Sequence, residues 1–183
     1  MEQTNNTFTK STMTSGAILG SGMIIFSFIL YIAGLNEGTS LNMLSYVILI
    51  GGIMYGIKQV RDKIQNGFIS YGRAVGSGTL VALFASIILA FYMFILMKYV
   101  DNSMIAKSIE LTQQKWSEGG MTDDQVESMT KMVEPFITPG FMAFGTVFSI
   151  TFVGVIISLI VAAFMKKEPN IFANNTSSLD STI

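Results

Sequence analysis

Four long segments without a charged residue constrain the fold of this chain more than any other feature. Uncharged stretches of 26, 20, 24 and 31 residues lie between these pairs of charged residues: Lys10 and Glu37, Glu37 and Lys58, Arg73 and Lys98, Glu134 and Lys166. A helix needs about 20 largely apolar residues to cross roughly 30 Å of hydrocarbon. A soluble helix would instead carry charged residues along one face. The pattern predicts four membrane-spanning helices.

The predicted spans lie at about residues 15–35, 41–57, 74–97 and 141–165. With the segment between spans three and four, they form a single membrane domain over residues 1–167. The polar residues 168–183 are predicted to be a flexible tail. The predicted fold is therefore all-α, an integral membrane four-helix bundle.

The segment at about residues 100–139 has the character of a soluble helical hairpin. Ile105, Ile109, Thr112 and Trp116 recur at the spacing of one helical face. Gly119 and Gly120 interrupt that helix. The next helix opens at "TDDQ", where Thr122 and Gln125 match a capping box. We expect this hairpin to join spans three and four on the outer side of the membrane.

The distribution of charge predicts the orientation. The segment Lys58–Arg73 contains four basic residues (Lys58, Arg61, Lys63, Arg73) and one acidic residue, whereas Lys98–Glu134 contains four basic and seven acidic residues. Lys10, Lys166 and Lys167 fall on the same side of a four-span topology as the basic segment. Because loops rich in Lys and Arg stay in the cytoplasm, both termini are predicted to be cytoplasmic. An alternative role for the four basic residues is contact with lipid headgroups or a partner.

Glycine pairs spaced four residues apart predict sites of close helix packing. These pairs are Gly16 and Gly20, Gly52 and Gly56, and Gly72 and Gly76. Small residues at this spacing share one helix face, where they let two backbones approach closely. Several span hydroxyls are expected to form hydrogen bonds between helices, namely Ser77, Thr79, Ser86, Ser149 and Thr151.

Residue types in the chain limit its chemistry. It has no cysteine and no histidine, and the predicted spans hold no Asp, Glu, Lys or Arg. Ion-coupled carriers usually need such residues in the membrane. Asp123, Asp124 and Glu127 are a candidate cation site, but acids at the start of a helix explain the first two residues equally well. Pairs of methionines are a candidate copper site, but methionine more often fills gaps in a core. We predict no catalytic residue, no cofactor and no metal.

The stretch "YGIKQVRDKIQNGFISYGRAVGSG", followed by an acidic helical loop and a last span ending in "KK", resembles the DUF4199 family. The resemblance covers roughly Thr12 to Lys167. It implies a small four-span membrane protein of a kind found chiefly in Bacteroidota. The family has no established activity, so the resemblance carries over no catalytic residue.

The sequence thus favours a non-enzymatic bacterial inner-membrane protein that acts through helix–helix or partner contacts. The expected partners are the lipid bilayer and either a second copy or another membrane protein, with no nucleic acid. The alternative is a small transporter, facilitator or channel lined by hydroxyl groups and backbone.

Overall fold

The computed structural model describes residues 2–34 and 42–167, which form an all-α bundle with an appended hairpin. The four long helices are α1 (Glu2–Ile32), α2 (Asn42–Lys63), α3 (Tyr71–Ile95) and α6 (Pro139–Met165). The hairpin consists of α4 (Ser103–Glu118) and α5 (Asp123–Val133). A π-helical turn, Leu96–Val100, extends α3, and a 3-10 turn, Glu134–Phe136, precedes α6. Each long helix is long and apolar enough to cross a membrane, which confirms the predicted fold class.

Three helices extend beyond the predicted spans. α1 already begins at Glu2, α2 continues to Lys63, and α3 begins at Tyr71. The prediction that Lys58, Arg61 and Lys63 lie in a loop is therefore wrong. They lie on the last turns of α2. Lys and Arg are good helix formers, and their long side chains reach water from a helix end. The predicted tail at residues 168–183 lies outside the described residues, as does the predicted end of span one at residue 35.

Contacts between glycines and their neighbours show that successive spans run in opposite directions. Gly52 and Gly56 of α2 lie against Leu19 and Ser15 of α1, so these two helices are antiparallel. Gly16 and Gly20 of α1 face Phe84 and Ile88 of α3, so α1 and α3 are parallel. α6 runs against α3. The three connections therefore alternate between the two ends of the bundle.

α3 lies at the centre of the bundle and packs against the other three spans. Its side chains Val81, Ala82 and Ala85 are fully buried, together with Ile53 and Ile57 of α2. Most side chains on the contact surface of α3 are small, as the stretch "GSGTLVALFAS" shows. Small side chains let three neighbouring helices approach one central helix at the same time.

Four of the six predicted packing glycines lie where helices meet. A Cβ atom built on Gly16 would stand 2.6 Å from the Phe84 Cβ and 2.9 Å from the Val81 carbonyl oxygen. A Cβ atom on Gly20 would stand 3.1 Å from the Ile88 Cβ. On α2, a Cβ atom at Gly52 would overlap Leu19, and one at Gly56 would stand 2.6 Å from Val81. At Gly16 a larger residue would meet backbone and Cβ atoms of α3 and would push the helices apart, whereas at Gly52 and Gly56 it would first displace the side chains of Leu19 and Val81.

Gly72 and Gly76 do not pack against a neighbouring helix, so the prediction for this pair was wrong. A Cβ atom built on either residue meets no described atom within 4 Å. The close contacts are instead made by Gly78, which faces Ser158, and by Gly154 of α6, which faces Ala82. The spacing of two glycines defines one helix face but does not say whether a neighbour lies on it.

Alanine substitutions on α6 and α1 test this packing. Gly154→Ala and Gly16→Ala should each lower the free energy of unfolding by about 1–3 kcal/mol, because the new methyl group overlaps rigid neighbours. Gly145 and Gly76 have open space where a Cβ atom would stand. Gly145→Ala and Gly76→Ala should therefore raise the free energy of unfolding by up to about 1 kcal/mol, because alanine has a higher helix propensity than glycine. Unfolding of the purified variants in a detergent titration measures both signs. Equal effects at Gly154 and Gly145 would contradict the packing described here.

Candidate functional site

The alternating directions of the spans bring the basic residues together at one end of the molecule. This basic end comprises Lys10, the segment from Lys58 to Arg73, and the residues Lys166 and Lys167. The opposite end carries the α4–α5 hairpin, and we call it the hairpin end. The side chains of Lys58, Lys63 and Arg73 are exposed, as are those of Lys166 and Lys167. The predicted topology residues therefore share one surface of the protein.

Backbone hydrogen bonds attach the α2–α3 connector to the end of α6. The Ile69 amide donates to the Lys167 carbonyl at 2.8 Å, and the Lys167 amide donates to the Ile69 carbonyl at 3.0 Å. The Ile69 side chain is 1% exposed and belongs to the core. Asn66 and Gly67 form the turn before it with φ of 53° and 89°. The connector is thus a fixed element that joins three spans.

Two basic side chains are held by polar neighbours. The Arg61 Nε donates to the Asp62 carboxylate at 2.8 Å. With its amide oriented to satisfy its surroundings, Gln65 accepts a hydrogen bond from the Arg73 Nε at 2.8 Å and donates to the Phe68 carbonyl at 3.0 Å. The Lys167 ammonium group lies 5.8 Å from the centre of the Phe68 ring. These contacts position the basic side chains but leave them open to an anionic surface.

A cavity of about 310 Å³ lies between the four spans, in the half of the bundle towards the hairpin end. All four spans contribute to its wall, and no charged side chain does. Its apolar lining includes Met23, Leu49, Leu89 and Met93. The close glycine contacts of Gly16, Gly56 and Gly78 lie on the other side of it, towards the basic end. The cavity is therefore closed in that direction.

Hydroxyl groups converge on this cavity from three helices. Ser27 of α1, Ser45 and Tyr46 of α2, and Thr146 and Ser149 of α6 line it. The Thr146 hydroxyl donates to the Met142 carbonyl at 2.9 Å. Ser149 was expected to bond between helices, but among the hydroxyls for which such a bond was predicted only Ser86 and Thr151 make one in the described chain, with each other at 3.2 Å. Ser77 bonds to Arg73 of its own helix.

Tyr92 adds a buried polar atom beside the cavity. Its hydroxyl oxygen is inaccessible to solvent and has no hydrogen-bond partner in the described part of the protein. Tyr92 lies between the lining residues Leu89 and Met93 on α3, and Ser27 is its polar neighbour on α1. A buried hydroxyl without a partner is costly, so it marks a place where a ligand oxygen would be stabilised.

Asp101 fixes the start of the hairpin to the end of α1. Its carboxylate accepts hydrogen bonds from the Ser103 amide at 3.0 Å and from the Tyr31 hydroxyl at 3.3 Å. The hydrogen bonds from Ser103 and then from Tyr31 hold the pKa of the Asp101 carboxyl below its ordinary value. The Asp101 amide donates to the Leu96 carbonyl at 2.8 Å, which closes the π-helical turn. This junction sets the direction in which α4 leaves the bundle.

The acidic residues of the hairpin stabilise the two helices of the hairpin. Thr122 and Gln125 form the predicted capping box, which is confirmed. The Glu127 carboxylate accepts a bond from Lys131 at 2.6 Å, and this contact lowers the pKa of Glu127. Among the described residues, no three His, Cys, Asp or Glu side chains are placed to hold a metal ion. Asp123 and Asp124 lie in the first turn of α5, where the helix dipole favours anions.

A family model described as "Protein of unknown function (DUF4199)" matches residues 14–167. The chain belongs to this family. No curated protein and no solved structure matches it. The DUF4199 match begins within α1 and ends at Lys167, the residue paired with Ile69. It therefore includes the four spans, the hairpin and both halves of the connector contact.

Sequence reasoning missed the cavity and the Ile69–Lys167 pair, although part of the signal was present. Serines in three spans and Thr146 stand at comparable depth in a four-helix arrangement, but that depth is known only after the helices are aligned. The short run "FIS" before α3 gives no indication of its partner. A DUF4199 chain thus carries two features that only the three-dimensional structure brings together.

The Asp101 junction gives a prediction on pH. Its depressed pKa means that the carboxylate stabilises the junction at neutral pH, and this contribution is lost as pH falls through that depressed pKa. Relative to the intrinsic exchange rate at each pH, the protection of amides in the first turn of α4 should therefore fall in acid, and Asp101→Asn should remove this step. Hydrogen exchange over a pH series measures it, with Glu110→Gln as the control. An unchanged acid response in Asp101→Asn would refute the assignment.

Proposed function

We propose that this protein is a non-enzymatic component of the bacterial inner membrane that acts by binding, with both termini in the cytoplasm. The observation that carries the proposal is the composition of the bundle interior. Its buried polar side chains are hydroxyl groups, namely Thr12, Ser15, Ser77, Ser86 and Ser158 in the described residues. Acid–base and nucleophilic catalysis need a titratable group beside the reacting atom.

The orientation rests on the basic end. One surface of the protein carries seven basic residues, namely Lys10, Lys58, Arg61, Lys63, Arg73, Lys166 and Lys167. The hairpin between Lys98 and Glu134 has more acidic than basic residues. Short basic loops next to spans are retained in the cytoplasm. The proposed orientation therefore has the basic end inside and the hairpin outside. The same side chains then face the anionic headgroups of the inner leaflet.

A small transporter or facilitator is the second candidate, and the cavity favours it. The cavity lies in the half of the bundle towards the hairpin end, and the contacts at Gly16, Gly56 and Gly78 close the path to the basic end. Transport would need these helices to separate in each cycle. A cavity that is closed towards the basic end supports binding more directly than it supports passage.

For the partner, we propose a second copy of the chain, seated in a groove on the outer surface of the bundle between α1 and α2. The groove has a volume of about 210 Å³ and is lined by Ile18 and Gly22 of α1 and by Ile48 and Tyr55 of α2, among others. Gly22 has open space where a Cβ atom would stand, and so does Gly51 on α2. Outward glycines let a second helix approach closely, and such packing drives helix association in lipid.

Reporter fusions test the orientation. Alkaline phosphatase should be inactive when fused after Ile183 and active when inserted within residues 117–120, since the enzyme works only outside the cytoplasm. Replacing Lys58, Arg61, Lys63 and Arg73 together with Gln should raise activity in the first fusion, because these charges retain the loop. Lys58→Gln alone serves as the control and should change little. An active Ile183 fusion in the parent protein would reverse the orientation.

Energy transfer between labelled copies in liposomes tests the groove. The parent protein should associate, and dilution with lipid should separate the copies. Gly22→Ile should weaken association at least severalfold, because its side chain fills the groove. Gly145→Ile is the matched control, since Gly145 also faces open space but lies on α6. A parent protein that stays monomeric at all lipid ratios, or equal loss in both variants, would rule out self-association through this groove.

A further inference from the structure

We infer that the cavity between the four spans is a binding site for a small uncharged amphiphile, an apolar molecule bearing a hydroxyl or carbonyl oxygen. This inference goes beyond the proposed function and does not depend on self-association or on orientation. It rests on the position of the cavity, on its lining and on the buried Tyr92 hydroxyl.

The position of the cavity selects molecules that dissolve in a membrane. Its wall is formed by residues near the middle of each span or towards the hairpin end, from Met23 and Ser27 on α1 to Val153 on α6. A polar solute would lose its hydration to reach this depth, whereas an amphiphile already resides at the boundary between headgroups and acyl chains. The volume of about 310 Å³ corresponds to roughly ten water-sized groups.

The lining of the cavity disfavours a charged ligand and favours one that can form hydrogen bonds. No Asp, Glu, Lys or Arg lines the cavity, so a charged ligand would lie there without a counter-ion. Ser45 and Ser149 make no hydrogen bond within the described chain, in contrast to Thr146, which bonds to Met142. Their hydroxyls come from two different helices, α2 and α6. A ligand oxygen beside either of them would accept or donate a bond that the protein itself does not supply.

The Tyr92 hydroxyl is the second indication. It is buried beside the cavity, and the Ser27 hydroxyl is a polar neighbour close enough to interact with it, so the two hydroxyls form a polar pair next to the apolar wall. Binding sites for small molecules typically combine an apolar wall with a few polar groups that fix orientation. Here the wall is provided by methionine and leucine, and the polar groups are hydroxyls alone.

Photolabelling of the full-length protein in lipid nanodiscs tests this site. The probe is a diazirine derivative of 1-octanol, compared with the matching derivative of octane that lacks the hydroxyl group. The alcohol should label peptides that contain Ser27 or Ser149, and unlabelled 1-octanol should compete with it. The alkane should label lipid-facing residues away from the cavity, such as Phe91 and Phe164, without saturation. If the alcohol labels the lipid-facing residues as diffusely as the alkane does, the inference is overturned.

Serine variants separate hydrogen bonding from folding. Ser27→Ala and Ser149→Ala should each reduce saturable labelling by roughly threefold to tenfold, the loss expected for one hydrogen bond. Ser149→Thr keeps a hydroxyl group and should retain labelling. Ser21→Ala is the matched control, because Ser21 lies on the same helix as Ser27 and is exposed. Equal labelling in the parent, the two alanine variants and the control would overturn the inference.

Discussion

The close approach of helix backbones at glycine is the constraint on which the rest of this bundle depends. Lipid provides no hydrophobic force between helices, so association relies on van der Waals contact over a surface without protrusions. Gly16, Gly20 and Gly154 provide that surface around α3. The contact is concentrated in the half towards the basic end. In the other half larger residues stand between the helices, and a cavity remains there as a consequence.

The connector at the basic end depends on the same packing. Ile69 is buried and bonded to Lys167 because α6 returns beside α3 along its full length. Three spans are thereby linked close to the surface where the basic side chains lie. A segment for which we propose an orientation role is thus also part of the core. The electrostatic role and the packing role fall on different residues of this segment, since the charges are exposed and Ile69 is not.

The sequence predicted the elements better than the contacts between them. Charge-free length gave four spans because the thickness of the hydrocarbon core fixes the length of any helix that crosses it. The capping box at Thr122 was predictable because its hydrogen bonds are local. Gly76 was misassigned and Gly78 overlooked because the two residues point to different sides of one helix. Which side meets a neighbour is decided by the arrangement of four helices, and spacing within one helix does not contain that information. The cavity could not be predicted for the same reason.

The arrangement also bears on the choice between binding and passage. A pore needs a continuous polar path, and the polar groups of this bundle fall into two separate sets. Ser27, Ser45 and Ser149 line the cavity, whereas Ser77 and Ser158 are fully buried in the closed half. Ser77 is bonded to its own helix, and Ser158 is packed against Gly78. Opening a path past them would separate α3 from α6 at the contact that assembles the bundle. The packing that holds the helices together therefore closes the cavity towards the basic end, and a hydroxyl-lined site without a path through the bundle is suited to retaining a ligand.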